Sequence, residues 1–313
     1  MEFVRQIAEC CMPFLYFLQD IRNPVMDTVL SLVTHLGEET FFLVIAIFFF
    51  WCVNKREGYF ILITGLVGTV VNQIAKIFFR IPRPWVLDSE FDIVESAREE
   101  ATGYSFPSGH TQNIAGTYGA ICAFKPKKWK TAVCVTIITL VAFSRMYLGV
   151  HTPLDVCTSL FVALALILIL RPCFATESSF KKSMPWIIAS SCVLSVGFLV
   201  YVLLIGGDES IDPENYNSAL KNAFTLLGCT VALAPVYIID SKFIKFETDA
   251  KWYAQILKLV LGLAGVLVIK TFLSAPLTAL FGNEYIARAV RYFLIVMFAG
   301  SVWPLTFKWF KKL

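Results

Sequence analysis

The chain has 313 residues, of which 57% are hydrophobic and 16% charged, and its formal net charge is +4. Soluble domains average about 45–50% apolar and about 25% charged residues, so this chain has too few polar residues to cover a soluble surface. Soluble, disordered and collagen-like proteins are therefore excluded. A transmembrane β-barrel alternates polar and apolar residues, whereas the apolar runs here are continuous. The composition predicts an all-α, polytopic helical membrane protein.

Neither the net charge nor the cysteine pattern indicates a second function. The small net charge is interpreted as loop charge that orients the protein in the membrane, so no nucleic-acid partner is expected. The nine cysteines lie mostly in apolar runs, without a Cys-x-x-Cys pair, and are interpreted as helix residues without a disulfide framework. The first twenty residues lack a basic start and a cleavage site, so no cleavable signal peptide is expected.

Apolar segments near the length that a membrane helix needs, about 20 residues, follow one another along the chain. Eight are predicted, at residues 58–79, 109–124, 131–148, 152–170, 185–206, 218–239, 253–272 and 288–307. The shorter run 40–53 is expected to span with its neighbours. Residues 12–36 carry several charges and are expected to lie in the interface or to re-enter. The count is nine or ten spans.

The loops differ in charge on the two sides of these spans. Basic residues gather at 55–56, 125–130, 171–182, 242–251 and 308–312, and acidic residues at 38–39, 88–100 and 208–214. Positively charged loops stay in the cytoplasm. Residues 80–108, 149–151 and 207–217 are therefore expected on the extracytoplasmic face.

The first unusual stretch lies at the extracytoplasmic end of a predicted span. Lys76, Arg80 and Arg83 are spaced i, i+4 and i+7, so they share one face if the helix persists. Three cations on one face repel each other unless an anion lies between them. The alternative is ordinary snorkelling of basic side chains at a membrane edge.

The second stretch, residues 103–111, opens the next span. Pro107 and Ser108 suit a helix start, where free backbone N–H groups form an anion site. His110 is expected in the first turn, at the membrane surface. The alternative is a capping serine beside a surface histidine.

The third stretch, residues 144–155, joins two spans. Arg145 and Asp155 lie at depths where charges are costly and therefore suggest function. His151 and Asp155 are spaced i, i+4, which suits a carboxylate that orients an imidazole. The alternative is a buried Arg–Asp pair. Together, the three stretches would place cations, two histidines and one aspartate on the extracytoplasmic side, an inventory that suits a phosphate group.

These stretches resemble the motifs of the type 2 phosphatidic acid phosphatase (PAP2) superfamily of integral membrane phosphatases. The family pattern K-x6-RP, PSGH and SR-x5-H-x3-D is matched without departure at residues 76–84, 107–110 and 144–155. The resemblance covers about residues 40–171. It implies a six-helix catalytic core, expected within residues 1–174 together with an N-terminal interfacial segment. About four further spans, in residues 175–313, lie outside it.

The resemblance also implies roles for individual residues. His151 would be the nucleophile that forms a phosphohistidine, Asp155 would fix its tautomer, and His110 would protonate the leaving group and later activate water. The phosphate oxygens would be held by Lys76, Arg83, Ser108, the N–H of Gly109 and Arg145. No metal or other cofactor is implied, and no separate His/Asp/Glu cluster with ligand spacing is apparent in the sequence.

Other polar residues are given weaker roles. Arg80 lies outside the family pattern and would either touch substrate or snorkel, and Ser144 is expected to bond locally. His35, beside two glutamates, is interpreted as structural. Residues 88–104 form a long charged loop, a candidate lid or selectivity element. Three C-terminal cations are expected to anchor the interface, with attraction of a lipid head group as the alternative: Lys270, Arg288 and Arg291.

The predicted function is a metal-independent phosphatase of a membrane lipid phosphate or diphosphate, acting at the extracytoplasmic face. Candidate substrates are phosphatidic acid, phosphatidylglycerol phosphate, a sphingoid-base phosphate and a polyprenyl diphosphate. Three alternatives stay open: a phosphotransferase, a sugar phosphatase similar to glucose-6-phosphatase, and a non-catalytic lipid or phosphate transporter. A bacterial plasma membrane is the expected location. The oligomeric state and the role of the C-terminal spans are left undetermined.

Overall fold

A computed structural model describes residues 2–313 of the chain, and within that range it contains α, 3₁₀ and π helices and no strand. The α-helices are α1 (Glu2–Cys10), α2 (Met12–Asp20), α3 (Pro24–Thr34), α4 (Glu39–Phe48), α5 (Lys55–Phe79), α6 (Pro84–Leu87), α7 (Gly109–Phe124), α8 (Lys128–Tyr147), α9 (Pro153–Phe174), α10 (Glu177–Leu204), α11 (Pro213–Ile239), α12 (Trp252–Phe272), α13 (Ser274–Phe281), α14 (Glu284–Met297) and α15 (Phe307–Phe310). The predicted all-α fold class is confirmed.

Seven helical segments among the described residues are long and apolar enough to cross a membrane. They are Lys55–Leu87, Lys128–Tyr147, Pro153–Phe174, Glu177–Leu204, Pro213–Ile244, Trp252–Phe272 and Glu284–Phe310. The last four are the predicted C-terminal spans. An eighth span results if Pro24–Gly37 and Glu39–Val53, which meet at a bend of 52°, cross as one.

Seven or eight segments of the described residues qualify as spans by length and composition, fewer than the nine or ten predicted. Helix α7 has 16 residues, or about 24 Å at 1.5 Å per residue, and is shorter than the ~30 Å hydrocarbon core of a bilayer. The apolar run 40–53, expected to span with its neighbours, forms one bent pair with the preceding helix.

The chain forms two compact units from interleaved segments. The first unit consists of the chain up to Leu43, Ile63–Arg171 and Gly207–Ala219, and the second of Val44–Leu62, Pro172–Gly206 and Leu220–Leu313. The break after Arg171 lies near the predicted boundary at residue 174. The segments 44–62 and 207–219 do not follow that linear division. All three motif stretches belong to the first unit.

The first unit packs α2, α3 and α7 against α8. Small residues on the buried side of α7, including Ala115, Gly116 and Ala120, allow the close approach of neighbouring helices that apolar membranes favour. Leu30 of α3 packs with Tyr147, Leu148 and Val150 in one buried cluster, which fixes the segment that follows α8. That segment carries the third motif.

The second unit buries two lysines with different partners. Lys55 forms an ion pair with Asp240 at 2.7 Å, beneath the ring of Phe246. Lys258 is 1% exposed, and its ammonium donates to the Trp51 carbonyl at 2.8 Å. Both cations are neutralised or hydrogen-bonded inside the unit, so each is accounted for by the fold.

Candidate active site

His151 lies in the tight connection between α8 and α9. Gly149 has a φ of +81°, in the left-handed region that favours glycine. The N–H groups of Val150 and His151 both donate to the carbonyl of Arg145, at 3.2 and 3.3 Å. The connection therefore folds back on the end of α8. It leaves the His151 side chain buried, with 1% of the residue exposed.

Asp155 is fixed beside this imidazole by three donors to one oxygen. Its Oδ2 lies 3.2 Å from His151 Nδ1, accepts the Thr152 N–H at 2.8 Å and accepts the Ser105 hydroxyl at 2.5 Å. Such donors stabilise the ionised carboxyl group. The carboxylate can then hold the Nδ1 side of the ring, as the i, i+4 spacing predicts.

Arg83 contacts the other nitrogen of the same ring. Its Nη1 lies 2.9 Å from His151 Nε2, and its remaining N–H groups donate to the carbonyls of Val150, Thr102 and Gly103. A guanidinium only donates hydrogen bonds. We therefore assign a bare Nε2 and a proton on Nδ1, which faces Asp155.

The protonation state follows from burial and nearby charge. Burial lowers the pKa of His151 well below its usual range, and Arg83, Arg145 and Lys76 act in the same direction. The imidazole is therefore neutral at physiological pH. A neutral ring with a bare Nε2 has a lone pair available for attack on an electrophile.

Two further buried cations belong to this unit. Lys76 is 7% exposed, and its ammonium donates to the carbonyl of Tyr104. Arg145 is fully buried and donates through Nη1 to the Thr34 hydroxyl at 2.6 Å, while its Nε has no partner. Among the buried residues of the first unit that the structure describes, Asp155 is the one acid. The excess positive charge favours binding of an anion.

The second motif supplies a helix N-terminus. Ser108 caps α7 by accepting the Thr111 N–H at 3.3 Å, and its own N–H donates to the carbonyl of Asp155 at 3.2 Å. A Cβ added at Gly109 would meet no atom within 4 Å, so there is open space beside the first turn. Helix starts leave N–H groups without intrahelical acceptors, which makes this open turn suitable for phosphate oxygens.

His110, in the same turn, has an acidic partner that was not predicted. Its Nε2 lies 3.3 Å from Oε2 of Glu100, in the loop that precedes α7. The contact with His110 lowers the pKa of Glu100 to about 2, so Glu100 is a carboxylate throughout the physiological range. Burial and the charge of Arg145 lower the pKa of His110 to about 4, and the Glu100 carboxylate acts in the opposite direction.

Glu100 also belongs to a small group of metal-ligand type. One ligand atom each from His35, Glu38 and Glu100 lies within 4.8 Å of the others, so the group could hold a metal ion. The sequence shows no ligand spacing for this group, because Glu100 is remote in sequence from the other two. His35 contacts Glu38 and lies 3.2 Å from Glu100 as well, and its structural role stays a prediction.

Arg80 does not join the other two cations of the first motif. Helix α5 ends at Phe79, and Arg80 has a φ of +53°, so the helix does not persist and the three cations do not share one helical face. Its Nη1 instead pairs with Asp208 at 2.7 Å and donates to the Ser210 hydroxyl at 2.8 Å. The break in the helix lets Lys76 and Arg83 both reach the buried region, while Arg80 holds the 207–219 segment.

Several residues of this region were missed by the sequence analysis. Ser105 and Thr152 bind the Asp155 carboxylate, Thr34 binds Arg145, and Glu100 contacts His110. Thr34 and Arg145 are 111 positions apart, so no local pattern links them. The 88–104 loop contributes backbone carbonyls as well as charges, and sequence does not show which carbonyls point inward. Ser144 bonds locally to the Val141 carbonyl at 2.7 Å, as predicted.

Comparison with known families gives two matches. The model described as PAP2 superfamily matches residues 56–179, and the model described as PAP2 superfamily phosphatase, transmembrane extension, matches residues 224–312. Together they cover more than half of the chain. No solved structure matches the chain significantly.

Curated relatives resemble about half of the chain. Phosphatidylglycerophosphatase B of Bacillus subtilis is 29% identical over 48% of this chain and 76% of its own length. Undecaprenyl-diphosphatase BcrC of the same organism is 29% identical, over 45% of this chain and 72% of its own. A probable sphingosine-1-phosphate phosphatase of Dictyostelium discoideum is 28% identical, over 50% of this chain and 40% of its own.

The turn that carries His151 should tolerate no side chain at Gly149. Alanine at a left-handed position costs roughly 1–2 kcal/mol, and the new Cβ would lie 2.7 Å from Nη2 of Arg22. Gly149→Ala should therefore lower the apparent melting temperature of the detergent-solubilised protein by a few degrees. Gly197→Ala is the matched control, since its Cβ meets nothing within 4 Å and α10 favours alanine. Equal melting temperatures for the two variants would contradict the assigned turn.

Proposed function

The chain belongs to the PAP2 superfamily, and on that premise we propose that His151 carries out its chemistry through a phosphohistidine, without a metal ion, at the extracytoplasmic face of the membrane. The family and the named relatives make the chain a membrane phosphatase of lipid phosphates. The observation that carries the mechanistic proposal is the neutral, buried His151, with Asp155 at Nδ1 and a bare Nε2.

The first step transfers the phosphoryl group to the protein. The Nε2 lone pair of His151 attacks phosphorus, a P–N bond forms, and the bond from phosphorus to the leaving oxygen breaks. The negative charges of Glu100 and of the bound phosphate favour the protonated form of His110, which donates its proton to that oxygen. The positive charge that develops on the His151 ring is balanced by Asp155, which accepts the hydrogen bond of the Nδ1 proton.

The second step regenerates the protein. Water attacks phosphorus, the P–N bond breaks, and His110, now neutral, accepts a proton from that water. Inorganic phosphate leaves and His151 returns to its neutral state. Glu100 supports both roles of His110 because its carboxylate stabilises the charged ring. That charged ring protonates the leaving oxygen in the first step, and it forms again when His110 accepts a proton from water in the second.

Substrate binding requires one exchange of contacts. Arg83 Nη1 occupies the Nε2 lone pair in this structure and must release it before attack. A phosphate oxygen is a stronger acceptor for a guanidinium than a neutral nitrogen, so the incoming anion would draw Arg83 away from the ring. Lys76, Arg145, Ser108 and the N–H of Gly109 would hold the phosphoryl oxygens, and these cations would supply the electrostatic stabilisation without a metal.

The substrate class is argued from the relatives. Their names specify phosphatidylglycerophosphate, undecaprenyl diphosphate and sphingosine 1-phosphate. All three carry a terminal phosphoryl group on an apolar molecule. We therefore propose a lipid with a terminal phosphate or diphosphate as substrate. The charges of the loops support an extracytoplasmic site, and the bacterial relatives support a bacterial plasma membrane.

The proposal predicts phosphate release that persists in EDTA. Purified protein would be assayed with phosphatidic acid, phosphatidylglycerol phosphate, sphingosine 1-phosphate, undecaprenyl diphosphate and glucose 6-phosphate. We expect release from at least one lipid, and a loss of roughly 10³-fold or more in His151→Ala. His35→Ala, at an exposed histidine, is the control and should retain activity.

Each remaining result points to another function. Preference for glucose 6-phosphate would favour a sugar phosphatase, and release only with an added acceptor would favour a phosphotransferase. Lipid transport by the wild type without hydrolysis, lost in His151→Ala, would favour a transporter. Activity abolished by EDTA and restored by a metal would contradict the proposed metal-independent mechanism.

The Glu100 contact predicts a change in pH dependence. Glu100→Gln removes a negative charge that favours protonated His110, so the pKa of His110 falls. The protonated ring, which serves the leaving group, is then lost at lower pH. The basic limb of the kcat/KM profile should move to lower pH by roughly one unit or more. Glu99→Gln, at an exposed neighbour, should leave the profile unchanged. A uniform drop in rate without displacement of the limb would show that Glu100 acts only structurally.

A further inference from the structure

The second unit contains a polar cavity that the reaction at His151 does not use. It has a volume of about 140 Å³, well above the ~10–15 Å³ that a single water requires. It lies among residues of α11, α13 and α14. The lining groups that matter are Lys221, Ser274, Thr278, Glu284, Arg288 and Arg291.

The charge of this lining is unbalanced. Lys221, Arg288 and Arg291 are three cations against the single carboxylate of Glu284. Across the part of the chain that the structure describes, none of these three cations lies within 4.0 Å of a carboxylate oxygen. Like charges around one cavity repel each other, and an anion between them removes that repulsion.

The two guanidinium groups are held in place but keep donors available. Arg288 Nε donates to the Thr225 hydroxyl at 2.6 Å, and its guanidinium lies 5.5 Å from the ring centre of Tyr292. Arg291 donates through Nη1 to the Lys270 carbonyl at 3.3 Å, while its Nε is buried without a partner. Each guanidinium has five N–H donors, so these contacts leave most of them free to bind oxygen.

The hydroxyls and the helix complete a polar lining. Ser274 and Thr278 face the same cavity and can donate to oxygen. Glu284 begins α14, whose first N–H groups are capped by Asn283. Simple anchoring at a membrane interface explains exposed basic side chains, but it does not explain why three half-buried ones line the same pocket.

We propose that this cavity binds the phosphate group of an anionic ligand, either as a phospholipid head group or as free phosphate. Arginine suits phosphate because its planar fork donates two parallel hydrogen bonds, and lysine adds a point charge. The site belongs to the transmembrane extension and is separate from the reaction proposed at His151. It would give the C-terminal helices a binding role of their own.

Binding is tested on the full chain carrying His151→Ala, so that no probe is hydrolysed. Dioctanoyl phosphatidylglycerol is titrated into the detergent-solubilised protein, and bound lipids are counted by native mass spectrometry. Adding Arg288→Gln and Arg291→Gln should remove one bound phospholipid or weaken its binding at least tenfold. The matched control adds Lys270→Gln, an exposed cation that does not line the cavity. Dioctanoylglycerol, which lacks phosphate, should not distinguish the variants.

The source of the phosphate is identified by competition. Displacement of the lipid by millimolar inorganic phosphate would show that the phosphate group suffices, and resistance to displacement would show that the head group and chains contribute. Equal lipid binding by the double variant and the Lys270→Gln control would overturn the proposal. If the double variant does not fold, Glu284→Gln still tests it, because loss of the lining acid should tighten binding several-fold. Unchanged affinity in that variant would contradict the site.

Discussion

The whole candidate site depends on the contacts of one imidazole that is buried among cations. His151 is kept neutral by burial and by neighbouring positive charge, its Nδ1 proton faces Asp155, and its Nε2 faces Arg83. The two contacts agree with each other, because a neutral imidazole carries one ring proton. With that proton on Nδ1, facing the Asp155 acceptor, Nε2 is bare, as a guanidinium that only donates requires. The surplus of buried cations then favours binding of an anion, and in the proposed reaction the same set of residues supplies the nucleophile and the binding charge.

The fold supports this arrangement through breaks in its helices. Helix α5 stops at Phe79, which separates Arg80 from Arg83, and α8 stops before the glycine turn at Gly149. Backbone carbonyls that these breaks and the 88–104 loop leave free accept hydrogen bonds from Lys76 and Arg83. Buried cations are costly without such partners. The irregular backbone therefore stabilises the charges until an anion replaces some of these contacts.

The sequence predicted the all-α class and the grouping of the motif residues, because apolar runs and i, i+4 spacing are local patterns. It could not predict contacts that join distant segments, such as Thr34 with Arg145 or Glu100 with His110. It also left open whether the helix persists to Arg83, and in the structure a left-handed backbone and an ion pair with Asp208 place Arg80 apart. The span counts differ because helix α7 is shorter than the segments that qualify and because two apolar runs meet in one bent pair.

The central claim is that His151 carries the phosphoryl group, and trapping the phosphorylated protein tests it most directly. A substrate labelled in its terminal phosphate would be mixed with the protein, the reaction quenched with alkali within milliseconds, and the labelled peptide mapped. The account predicts label on His151 that is stable in alkali and lost in acid, absent in His151→Ala and retained in His35→Ala. Acid-stable label on another residue, or turnover without any label at His151, would contradict it.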